Sequence, residues 1–132
     1  MTVVKSAWTL RLCVVLSVLA VGCGGSSSPT LTRQETELRE IHEVYRHFVK
    51  SQQRPPSQLS DLVQQQYEGI YPATARALRE GKYLVVWGVK GQEAGILLAY
   101  EKDTPTRGGA VVMADGTVKH LTAEEFKALH KS

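Results

Sequence analysis

The 132-residue sequence predicts an α+β domain: a long N-terminal helix and short helices packed on a small antiparallel β-meander, followed by a short C-terminal helix. Three observations predict it. Apolar residues recur at helical spacing through residues 33–51. From residue 83 onward, short aromatic and β-branched runs replace that pattern. Asp115-Gly116, set between two such runs, signals a two-residue hairpin.

The elements follow in chain order. Thr32-Arg33-Gln34-Glu35 matches a capping box, in which the Thr hydroxyl and the Glu carboxylate each take an orphan backbone N–H. Leu38, Ile41, Tyr45 and Phe48 share one helical stripe, with Val44 beside it. Glu35, Glu37, Arg39, Glu40, Glu43, Arg46 and Lys50 are assigned to the other faces. This helix is expected over residues 33–51, stopped by Pro55 and Pro56. A short helix is expected over 56–63, with Leu59, Leu62 and Val63 inward, and another over 73–80, closed by Gly81. Strands are expected at 83–87, 95–100, 110–114 and 117–121, with a turn at 88–91 and a polar loop at 101–108. Thr122-Ala123-Glu124-Glu125 is a second capping box. It opens a C-terminal helix with Phe126 and Leu129 on one face.

Composition fits one domain, with 42% hydrophobic and 22% charged residues arguing against a wholly disordered chain. Two of the 16 basic residues, Lys5 and Arg11, lie in the first 22 residues, which hold no acid. The remainder carries a net charge of only +1, so it has no general field to attract nucleic acid. Both cysteines, Cys13 and Cys23, fall in the N-terminal 23 residues. A disulfide framework, or a zinc site built on thiolates, is therefore excluded from the rest of the chain.

Residues 1–22 read as an export signal. Lys5 and Arg11 supply the positive end, and residues 12–21 form an apolar run of 10 residues, too short to span a bilayer. Small residues follow at Ala20 and Gly22. The string Leu19-Ala20-Val21-Gly22-Cys23 resembles the lipobox of bacterial lipoproteins, although Ala20 stands where that family most often has Leu. The resemblance implies cleavage before Cys23 and attachment of diacylglyceryl to its thiol, with acylation of the new amine. Several acyl chains hold a protein on a membrane stably, where one binds only marginally. Residues 23–30 then comprise the lipidated cysteine and a flexible Gly/Ser tether, and 31–132 the single α+β domain.

Tests for chemistry come out against a catalytic centre. His42-Glu43-Val44-Tyr45-Arg46-His47 invites comparison with the zinc-protease motif, but its histidines are five residues apart, not four. On a straight helix they point about 140° apart. His120 and His130 form no pair with ligand spacing, and no nucleophile elbow or phosphate loop occurs. Asp115 and Glu101 make a conceivable acid/base pair, but Asp115 is read as turn chemistry. Tyr83 and Trp87 are read as core and sheet-face residues.

The order long helix, Pro55–Leu62 segment, meander with Asp-Gly is similar to small exported proteins of planctomycete bacteria, including pilin-like proteins and lipoproteins of uncharacterised role. Leu98-Ala99-Tyr100-Glu101-Lys102 and residues 107–118 also carry this resemblance. It spans about residues 31–126 and implies a pilin-like fold. Pilin-like relatives usually have a histidine where this chain has Pro105, and they polymerise through an apolar N-terminal helix that a signal and lipobox replace here. The expected role is a membrane-anchored envelope lipoprotein acting as a noncatalytic interaction or structural module. Its expected partners are membrane lipid, through acylated Cys23, and an envelope protein, with no cofactor and no metal. The alternative is a small-ligand carrier with a groove near Tyr83, Trp87 and Tyr100, and an envelope hydrolase ranks behind both.

Overall fold

A computed structural model describes residues 31–131; the signal segment, Cys23 and the tether lie outside the described residues. Helix α1 spans Arg33–Gln52 and so runs about 30 Å. The capping box forms as expected: Thr32 Oγ1 accepts the Glu35 N–H at 3.2 Å, and Glu35 Oε2 accepts the Thr32 N–H at 2.7 Å. At the other end Gln53 turns left-handed (φ 54°), and its N–H bonds Val49 O at 2.9 Å. The buried stripe holds Leu38, Ile41, Val44, Tyr45 and Phe48.

Glu37 corrects the reading of a solvent face, since it is only 3% exposed. Its spacing from Ile41, Val44 and Phe48 puts it on the buried stripe, and its charge alone suggested water. Three donors compensate that burial, as described below.

Helix α2 covers Leu59–Leu62, α3 Gln65–Ile70 and α4 Pro72–Arg79. Helix α3 is not foreshadowed by hydrophobic spacing, and Gly69 stands inside it. Tertiary contacts hold it instead: Tyr67 is buried, and Glu68 pairs with Arg79 of α4. Gly81, at φ +70°, closes α4 in a Schellman motif, with Gly81 N–H to Leu78 O at 3.1 Å and Lys82 N–H to Ala77 O at 3.0 Å.

Strands β1 (Tyr83–Val85), β2 (Leu97–Glu101), β3 (Gly109–Met113) and β4 (Val118–Leu121) pair in sequence order, every neighbour antiparallel. Strand β1 ends before Trp87 because the Gly88 N–H turns away to Pro56 O at 3.2 Å. The polar loop after β2 contains a one-turn helix, α5 (Thr104–Arg107), and α6 covers Ala123–His130. The hairpin is a three-residue loop, not two. Gly116 N–H bonds Met113 O at 2.9 Å and Met113 N–H bonds Thr117 O at 2.8 Å. Only Gly116 takes positive φ (88°), so the glycine forms a bulge after Ala114 and Asp115.

Strand β3 is buried on both sides. Ala110 and Val112 join Tyr83, Ala99 and the α1 stripe, whereas Val111 and Met113 join Leu97 and Phe126 of α6. A register shift between Leu97 and Ala99 lets Leu98 enter the α1-side core next to Ala99. The result is α1 and its short partners on one face and α6 on the other.

Candidate functional site

The residues weighed for chemistry do not converge. His42 Nε2 lies 3.1 Å from Ala114 O; a carbonyl only accepts, so this nitrogen carries the proton. The His42 ring packs so closely over the hairpin that a Cβ at Gly116 would stand 3.0 Å from Cε1. His47 instead meets Tyr67, Nδ1 to hydroxyl at 3.1 Å. His120 contacts Glu35 at 3.3 Å, and His130 stacks on Phe126. Among the described residues no group of three or more His, Cys, Asp or Glu could hold a metal ion.

Asp115 accepts the Thr117 N–H at 3.0 Å, which holds its carboxyl below the usual aspartate range. Glu101 accepts the Ala110 N–H at 2.8 Å. The two stand toward opposite ends of the meander. Leu97 of β2 pairs with Met113 near the hairpin, and Glu101 lies four residues, about 13 Å, further along β2. Tyr83, Trp87 and Tyr100 line no common groove. Tyr83 is buried on the α1 side, Tyr100 packs on Phe126 across the sheet, and Trp87 is 39% exposed beyond the end of β1.

Sequence reasoning missed two features. The first is the Glu37 cluster. This carboxylate accepts from Arg33 Nε at 2.7 Å, from Lys82 Nζ at 2.8 Å and from the Tyr83 hydroxyl. Burial pushes its carboxyl upward, but hydrogen bonds from Lys82, Tyr83 and Arg33 outweigh burial and hold it below the usual glutamate range. Burial and the adjoining carboxylate raise the Tyr83 phenol. Three side chains each place one donor on this single carboxylate, so the cluster reads as a structural clamp between α1 and the start of β1.

The second is a half-open groove of about 400 Å³ between α1 and α3. Val44 and Tyr67, both nearly buried, form its base, and His47, Ile70 and Tyr71 line it further out. Ile70 is 65% exposed, the most exposed large apolar residue among those described. The His47 and Tyr67 rings meet edge-on, 5.6 Å between centroids. At the rim Arg46 pairs with Glu43 at 2.7 Å, while the Lys50 ammonium has no partner among the described residues. A second hollow, near Lys82, Glu101 and Arg107, is lined by charges of both signs. The α1–α3 groove alone of these two combines apolar walls with a charged edge. One sequence signal pointed to it: Ile70 follows Gly69 outside any amphipathic stripe.

Comparison with family models, with curated proteins and with solved structures finds no match.

Proposed function

We propose that this chain is a lipid-anchored protein of the cell envelope, exported and held on a membrane through acyl chains on Cys23. Its α+β domain serves there as a noncatalytic interaction or structural module. One observation carries this reading. A lipobox-like pentapeptide ends at Cys23, a Gly/Ser run follows, and a capped helix begins a few residues later at Arg33. Export signal, anchor, leash and rigid mount thus succeed one another without overlap. The geometry of α1 supports the same reading. His47 lies fourteen residues beyond Arg33, about 21 Å along the helix axis, so the groove is set well apart from the tether root.

Metabolic labelling with a fatty acid tests the anchor. Label is expected in the native chain and absent from Cys23→Ala. A mature chain with a free thiol, or one still beginning at Met1, would overturn it. A photo-cross-linking residue at position 70 tests the module. Discrete adducts in intact cells are expected there and not at position 131, whereas equal yields at both positions would remove the case for a defined contact surface.

The groove favours a second reading, a lipoprotein that carries a small ligand. Its volume falls within the range of small-molecule sites, roughly 300–1,000 Å³. The ligand surface differs from the one expected near Tyr83 and Tyr100, which face opposite sides of the sheet.

A further inference from the structure

We propose that the groove between α1 and α3 binds a small organic anion: an aromatic or branched apolar body carrying one carboxylate. This rests on the ligand-carrying reading of the module and not on its lipid anchor. The apolar part follows from what lines the groove. Val44, Tyr67, Ile70 and Tyr71 offer aliphatic and aromatic surface at one place, and Ile70 is left 65% in water. Covering it removes apolar area from solvent, the main favourable term for a ligand of this size. Among the described residues the other exposed large apolar side chains are Leu31, Leu84 and Trp87, and none of these lines this groove.

The charge follows from what is already paired. Glu43 is the one acidic residue on the groove, and Arg46 holds it at 2.7 Å. A cationic ligand would find its only counter-charge engaged. Lys50 is the opposite case, an exposed ammonium at the rim with no carboxylate beside it among the described residues. His47 adds a second donor. Its Nδ1 is taken by the Tyr67 hydroxyl at 3.1 Å. In the tautomer in which that hydroxyl donates to Nδ1, the proton resides on Nε2, which has no partner among the described residues. A carboxylate between Lys50 and His47 would receive charge-assisted hydrogen bonds while its apolar body lies against Ile70 and Tyr71.

The test is titration calorimetry on the full chain in a zwitterionic detergent, which keeps it in solution with or without acyl chains, with the detergent buffer alone as blank. Three probes share one body: 2-naphthoate, 2-naphthamide and 2-naphthylmethylammonium. The naphthoate is expected to bind one to one and about tenfold tighter than the amide, with the ammonium weaker than both. Lys50→Glu should weaken naphthoate about tenfold and leave the amide unchanged, whereas Ile70→Ser should weaken both. Lys50 and Ile70 are exposed, so neither change threatens the fold, and near-UV circular dichroism checks this. Equal affinity for naphthoate and amide, or no effect of Lys50→Glu, overturns the anion assignment but leaves ligand carriage standing. No binding of any probe overturns both. Binding gained only in an Ile70→Ser monomer, from a dimeric parent, means that a second copy covers the groove, and also overturns the proposal.

Discussion

Glu37→Gln probes the one place where α1 puts a carboxylate on its buried stripe. The variant keeps the shape and one accepting oxygen. It removes the charge and points an amide at two cations and a phenol. Those four groups are not equally captive. Glu37 is 3% and Tyr83 2% exposed, so the phenol has no water to turn to. The Lys82 and Arg33 side chains are 38% and 75% exposed and can rehydrate. Breaking a buried ion pair costs about 3–5 kcal/mol when the remaining charge stays buried. Here the cations escape, so the cost reduces to lost charge assistance and an imperfectly satisfied phenol, about 1.5–3 kcal/mol. Tyr83→Phe removes one of three donors and should cost about 1 kcal/mol. Removing both partners should be less damaging than the sum, with a coupling of about 1–2 kcal/mol between Glu37→Gln and Tyr83→Phe. Urea unfolding of the four proteins, with linear extrapolation, measures each term. A Glu37→Gln loss below about 0.5 kcal/mol, the scale of ordinary surface changes, would refute the claim that this carboxylate is a clamp.

Three further outcomes are expected. Hydrogen bonds from the Ser57 N–H and from Arg54 hold Asp61 below its usual range, and the Glu37 carboxyl is also depressed. The stability they contribute is therefore complete above their unfolded values, about 4, and fades as pH falls through the lower folded values. Unfolding midpoints should stay level from neutrality to about pH 5 and drop below about pH 4. Glu37→Gln should flatten that acid limb, and an unchanged limb would count against Glu37 as its source. Thr104 Oγ1 is fully buried and has no hydrogen-bond partner among the described residues. Thr104→Val, close in shape, should therefore raise stability by about 1–2 kcal/mol in urea unfolding; a loss would mean the hydroxyl is bonded. Gly116→Ala should cost more than Gly81→Ala in thermal unfolding. Both sites have positive φ, a strain of about 1–2 kcal/mol, but only at Gly116 would the new Cβ meet a neighbour, His42 Cε1 at 3.0 Å.

Local signals were legible wherever the chemistry is local. Both capping boxes, the Gly81 closure and the order of the strands depend on neighbours in sequence, and all form. The sequence misled where a distant partner decides. Glu37 reads as polar until Lys82 and Tyr83, more than forty residues on, supply its donors. Helix α3 has weak intrinsic preference, and Tyr67 and Arg79 hold it by contacts no local window contains. Strand β1 is cut short by Gly88 bonding to Pro56, a similar long-range choice. The Asp-Gly turn shows a subtler failure. The dipeptide marked the hairpin correctly, but loop length follows from the Met113–Thr117 pairing, which the dipeptide does not encode. The groove was illegible for the same reason: its lining comes from α1 and from α3, brought together by the His47–Tyr67 contact across twenty residues of sequence.

The three parts of α1 carry separate duties on the proposed reading, and the contacts explain why one helix can serve all of them. Its first turn is fixed by the Thr32 box and by Glu37, whose clamp to Lys82 and Tyr83 joins the helix to β1. A pull on the tether would therefore act on the sheet as well as the helix. Its middle, through Leu38, Ile41 and Tyr45, is packed into the α1-side core with no room to shift register. Its later turns, from Glu43 to Lys50, line the α1–α3 groove. A ligand or partner binding there meets a preformed wall rather than a mobile one, so little ordering entropy opposes it. Were the first turn loosened instead, by Thr32→Ala together with Glu37→Gln, stability should fall while the groove keeps its naphthoate affinity. Equal loss of both would mean that the groove is held open from the tether end and that the helix is not divided in this way.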